Sequence, residues 1–180
     1  MALGETMKRN IRIFLILITF PTAALIAEPV FPGLIISDQT FNFRDSVSGD
    51  SVFIPVRQKR TGLTTLRVFV QSSDLHIQEL ERSFPNYEFA EIAAVSFQDI
   101  NRDGNKDIII IADFMTGIGP NGAKPFPLPI VYLRLTHNWM MDEEFSNTIQ
   151  LRFDDKLTIQ EVMKLYREYL DQSSQTRHGV

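Results

Sequence analysis

Apolar and polar positions alternate in part from Leu34 to Asp45 and again from Ser51 to Gln58, with Ser48, Gly49 and Asp50 between them. That pattern predicts a β-hairpin. Leu66, Val68 and Val70 then alternate with Arg67, Phe69 and Gln71, and Leu75, Ile77 and Leu80 follow a Ser-Ser-Asp turn, so two further strands are expected. After Pro85 and Asn86, the run from Glu88 to Phe97 leads as a strand into a polar loop opening at Asp99. An apolar strand from Ile108 to Ala112 leads out of it. The Gly- and Pro-rich stretch 116–129 is expected to be irregular before a last strand from Ile130 to Leu135. Thr158 and Glu161 form a Thr-x-x-Glu capping box, and Ile159, Val162, Met163, Tyr166 and Leu170 fall on one helical face. A helix over 159–171, packed on the sheet, is therefore predicted, and residues 173–180 are expected to form a disordered tail.

Composition agrees with this picture and removes several chemistries. With 180 residues and 44% apolar positions the chain has room for one domain with a real core. Fourteen Phe with nine Pro and nine Gly favour packed strands and frequent turns. The fold class expected is mostly β: a single antiparallel β-sheet domain, sandwich or propeller-like, with one polar loop and a C-terminal α-helix. Cysteine is absent, which excludes disulfides, thiolate metal sites, a Cys nucleophile and a lipid-modified N-terminal Cys.

The first residues read as an address. Lys8, Arg9 and Arg12 precede an apolar run from Ile13 to Ala27 that ends in small residues before Glu28 and Pro29. This is the layout of a signal peptide over 1–27, cleaved after Ala27 or Ala24, with an uncleaved anchor as the competing reading. The run is shorter than the roughly 20 residues that span a bilayer, and Pro21 interrupts it, which favours cleavage. A domain over 28–172, periplasmic or secreted, is thus expected. Without residues 1–27 the chain holds 15 Lys and Arg against 21 Asp and Glu, a net of −6. Nucleic acid and an anionic membrane are not the expected partners, because both demand clustered cations.

The one clear chemical motif is Asp99-Ile-Asn101-Arg-Asp103-Gly104-Asn105-Lys-Asp107, or D-x-N-x-D-G-x-x-D. Side-chain oxygens fall at positions one, three, five and nine, Asn105 offers its backbone carbonyl, and Gly104 takes the sharp turn. Calcium takes six to eight oxygens at about 2.3–2.6 Å, and this spacing supplies such a set. An EF-hand would need a Glu at position twelve on an exiting helix, but Ile110 stands there in a β-branched run. The competing reading is a polar turn rich in Asp, Asn and Gly for turn reasons alone. With Phe97 before it and an apolar strand after it, the loop resembles the strand-loop-strand site of FG-GAP and VCBS-type calcium blades. That resemblance implies bound Ca2+. A single copy argues for a stabilised domain rather than a propeller, which repeats its signature. From Leu66 to Ile149 the order of elements also resembles single-domain periplasmic immunity and lysozyme-inhibitor proteins of bacteria, although their Ser-Gly-x-x-x-x-Tyr stretch does not occur here. This implies a non-enzymatic protein whose target is a cell-wall hydrolase.

Other features offer less. Gly117, Gly119 and Gly122 spell G-x-G-x-x-G, but Pro125, Pro127 and Pro129 forbid the helix that a dinucleotide site requires. The same segment presents Phe114, Met115, Ile118 and Phe126 on a Pro-stiffened backbone, either as a partner-binding surface or folded back over the sheet. His76, His137 and His178 lack metal spacing. Asp113 with Asp142, Glu143 and Glu144 supports the alternative of a glycan-binding protein or glycan-acting enzyme, while three adjacent acids near a turn are usually a solvated face. No triad or nucleophile elbow is present, and the expected function is non-catalytic binding.

Overall fold

Alternation of side chains along each strand sorts the sequence onto faces, and in the computed structural model those faces pack as two sheets. Residues 30–81, 84, 86–119, 122–149 and 157–178 are described, with side chains to 173. All the described strands and helices lie within one compact unit, Phe31–Val180. The expected signal peptide lies outside the described residues.

Five strands form the first sheet: β1 (Leu34–Ile35), β2 (Phe41–Asp45), β3 (Gly49–Arg60), β4 (Leu63–Gln71) and β5 (Ile77–Glu79). β1 and β2 lie in succession along one side of β3, β4 along the other, and β5 beyond β4, all antiparallel. The second sheet is a meander of β6 (Glu88–Gln98), β7 (Asp107–Met115), β8 (Phe126–Arg134) and β9 (Trp139–Met141). Phe53, Leu66, Val68 and Val70 of the first sheet share one core with Ile108, Ile110, Leu128, Ile130 and Tyr132 of the second. The expected mostly β fold is therefore a sandwich of two antiparallel sheets.

The back of the second sheet carries two helices, α1 (Glu143–Ile149) and α2 (Ile159–His178). Ile109, Ile111 and Val131 pack there against Phe145, Ile149, Val162 and Tyr166. Cover on both faces explains why 108–112 is apolar without interruption: a strand buried on both sides loses its alternation. Among the described residues no helix is long and apolar enough to cross a membrane.

Two expectations are corrected. The irregular stretch ends sooner than 129, because β8 begins at Phe126 and includes Pro127 and Pro129. The Val131 carbonyl accepts the Asp142 N–H at 2.9 Å on the β9 side of β8, so by the two-residue period both prolines turn their missing N–H to that side. β9 pairs only with Tyr132–Arg134, which leaves no ladder bond there for the prolines to break. Glu143 and Glu144 are exposed in the first turn of α1, the solvated face expected of adjacent acids, while half-buried Asp142 caps that helix, its Oδ1 accepting the Phe145 N–H at 2.9 Å. The helix over 159–171 continues to His178, since no Gly or Pro interrupts it before Gly179, so most of the tail expected to be disordered is helical.

Candidate metal centre

The loop between β6 and β7 is built from short polar side chains that bond to their own backbone. Arg102 (φ 64°) and Gly104 (φ 89°) take left-handed conformations that turn the chain, and glycine does so without steric cost. Asp99 Oδ1 accepts the Asp103 N–H at 3.1 Å and Oδ2 the Gly104 N–H at 2.9 Å. Asn101 Oδ1 accepts the same Asp103 N–H at 3.1 Å, and Asp103 Oδ1 accepts the Asn105 N–H at 2.7 Å. Asn101 Nδ2 donates to Asp103 Oδ2 at 3.1 Å. Asn105 Oδ1 accepts the Ser46 hydroxyl at 2.7 Å, which ties the loop to the β2–β3 turn.

Asp107 stands apart. It is fully buried, and its carboxylate accepts the Ile100 N–H at 2.9 Å and the Arg134 N–H at 2.8 Å. Burial pushes its pKa up to about 6; the N–H bonds from Arg134 and Ile100 work against that rise, and the charge of Asp103 adds to it. The structure thus gathers Asp99, Asn101, Asp103 and Asn105 in one solvent-facing loop and turns Asp107 inward as its anchor. Among the described residues no three His, Asp or Glu side chains converge on a point.

The donor set fits a hard cation in its chemistry. Every side-chain ligand it offers is oxygen, the preference of calcium, and an oxygen that accepts one N–H keeps a further lone pair. Asp99, Asn101, Asp103, Asp107 and the carbonyl of Asn105 are the groups that would hold it.

The partner-facing residues separate. Phe114 is only 1% exposed and packs on Phe84 and Phe89 with ring centroids 5.5 and 6.0 Å away, so its assignment to a partner surface is corrected: it is core. Phe126 is half-buried with its ring against Tyr87 at 5.5 Å, and Met115 is half-buried. Ile118 alone of the four stands in solvent, 82% exposed in a loop closed by bonds from Gly117 N–H to the Gly122 carbonyl and from Gly122 N–H to the Gly119 carbonyl.

Nor do the acids of the glycan reading converge. Asp142 caps α1 and accepts the Tyr166 hydroxyl at 2.8 Å. Asp113 pairs with Pro127 on the β7 side of β8, whereas Asp142 bonds Val131 on the other side, about 13 Å further along at strand spacing. Glycoside hydrolysis uses carboxyls roughly 5–9.5 Å apart.

Sequence reasoning missed an ion pair between Asp45 and Arg134. Its signal was Arg134 falling in the inward register of Leu128, Ile130 and Tyr132, a lone charge on a core face. No family model, no curated protein and no solved structure matches this chain.

Proposed function

We propose that the chain is an exported β-sandwich, periplasmic or secreted, stabilised by calcium at the Asp99–Asp107 loop. It acts as a non-catalytic binding protein, an inhibitor or immunity protein directed at a cell-wall hydrolase. The observation that carries the reading is the all-oxygen loop itself, exposed at Asp103 and Gly104 and anchored through buried Asp107 to the end of β8. Calcium there would screen the repulsion among Asp99, Asp103 and Asp107 and so link binding to folding. Ile118, held at the surface by a closed loop, supports a protein-facing role at the opposite end of the strands.

The test is a melting curve of the protein with calcium, magnesium and chelator in turn. At a calcium concentration a hundred times the dissociation constant the gain should be about 2.7 kcal/mol. Magnesium should substitute poorly, because it demands a smaller octahedral site and sheds water reluctantly. Equal midpoints in calcium and chelator, with no ion bound by calorimetry, would reduce the loop to an Asx-rich turn.

A further inference from the structure

A groove of about 580 Å³ crosses the outer face of the first sheet over β2, β3 and β4. Phe43, Asp45 and Phe53 point into the sandwich, so Asn42, Arg44 and Val52 point out of it. The register sets Asn42 opposite Val52 and Val52 opposite Gln71, and Arg44 opposite Asp50. Polar groups from three strands therefore stand in rows across the groove, about 4.8 Å apart from strand to strand. Its volume lies within the roughly 300–1,000 Å³ of small-molecule sites.

We propose that this groove binds a short neutral carbohydrate. The backbone N–H and C=O groups of its floor are engaged in the β2–β3 and β3–β4 ladders, so a peptide strand cannot be added there and recognition must pass through side chains. Among the described residues, the side chains of Asn42, Arg44, Asp50 and Gln71 have no hydrogen-bond partner, so their capacity is open to a ligand. Arg44 only donates, Asp50 only accepts, and the amides of Asn42 and Gln71 do both. A sugar hydroxyl both donates and accepts, so it satisfies every one of them. Arg44 and Asp50 oppose each other and cancel, so an anion meets Asp50 and a cation meets Arg44.

Leu75 supplies the apolar part. It stands at the rim, 65% exposed, with φ at 66°, a left-handed conformation that a bulky side chain rarely adopts. The Ser72–His76 turn holds it there, with Leu75 N–H on the Ser72 carbonyl at 2.9 Å and Ser72 N–H on the His76 carbonyl at 2.9 Å. An exposed apolar side chain kept in strain by its own turn is a mark of function, and with half-buried Val52 it gives the C–H face of a sugar a surface to lie on.

The experiment titrates the full chain by calorimetry with maltotriose, cellotriose and tri-N-acetylchitotriose, using wild type and the variants Asp50→Ala, Gln71→Ala and Leu75→Gly. At least one of these sugars should bind, and each substitution should weaken it about tenfold, as loss of a hydrogen bond to a charged or amide group or of apolar contact does. Melting midpoints should stay level in Asp50→Ala and Gln71→Ala and should not fall in Leu75→Gly, where strain is relieved. Binding should survive molar salt, since the ligand is uncharged. Absence of binding by all of these sugars, or binding unchanged in both Asp50→Ala and Gln71→Ala, overturns the proposal. Neither outcome touches the calcium reading, which concerns a different loop.

Discussion

Asp45 at the end of β2 and Arg134 at the end of β8 form an ion pair across the two sheets, Nε to Oδ2 at 2.9 Å, with the side chains 0% and 6% exposed. The pair is saturated. Arg134 also donates to the Asn138 carbonyl at 3.1 Å and lies over the Trp139 ring, 5.0 Å from its centroid. Asp45 accepts the N–H groups of Val47 and Ser48. Because the Arg134 N–H also reaches Asp107, one residue joins the β2–β3 turn, the β8–β9 turn and the polar loop.

Arg134→Ala should cost about 3–5 kcal/mol, since it strands a buried carboxylate. The double variant Asp45→Ala with Arg134→Ala should lose clearly less than the two single losses together. Denaturant unfolding of the four proteins measures this, and strict additivity would mean that the pair does not act as one unit.

The pair also sets a response to acid. Burial works to raise the pKa of Asp45, but the bonds from Arg134, from the Ser48 hydroxyl and from the two N–H groups outweigh it and hold the carboxyl below its ordinary value. A carboxylate depressed in the folded state contributes fully above its unfolded value of about 3.9 and loses that contribution as pH falls through the folded value. Wild type should therefore lose stability below about pH 4 more steeply than Asp45→Asn. Parallel pH profiles of the unfolding midpoint would contradict this.

Asp107 and Asp103 should separate in chelator. Asp107→Asn replaces one of two buried acceptors with an NH2 facing the N–H of Ile100 or Arg134, a loss of about 1–3 kcal/mol without any metal. Asp103 is exposed, and Asp103→Asn keeps an oxygen for the Asn105 N–H and loses only the exposed bond from Asn101 Nδ2, so it should cost well under about 1 kcal/mol in chelator and act mainly on calcium affinity. Melting curves without calcium decide it; equal losses would show that Asp107 is not the anchor.

Ile118 and Phe114 should part in the same way. Ile118→Asp should leave the melting midpoint nearly unchanged while abolishing capture of a protein partner, whereas Phe114→Ala should cost about 3–5 kcal/mol through the cavity it opens. Retained capture by Ile118→Asp, with the fold intact, would place the interface elsewhere.

What the sequence determined by itself is local. The hairpin around Gly49, the strands on either side of Asp99 and the Thr158–Glu161 box before α2 are all repeats or spacings of a few residues, and backbone geometry fixes those periods at 2.0 and 3.6. The D-x-N-x-D-G-x-x-D loop was legible for the same reason, since its Asx bonds join residues two to five positions apart. Burial and long-range pairing were decided only when the sheets stacked. Phe114 became core because Phe84 and Phe89 close over it, while Ile118, four residues on and equally apolar, stayed in solvent. Pro127 and Pro129 entered a strand because the short β9 leaves their side of β8 unpaired. Asp45 and Arg134 stand 89 residues apart, and no spacing rule connects them. A repeat along the chain tells which side of its own element a residue faces, but the occupant of the other side is chosen by the packing of distant elements.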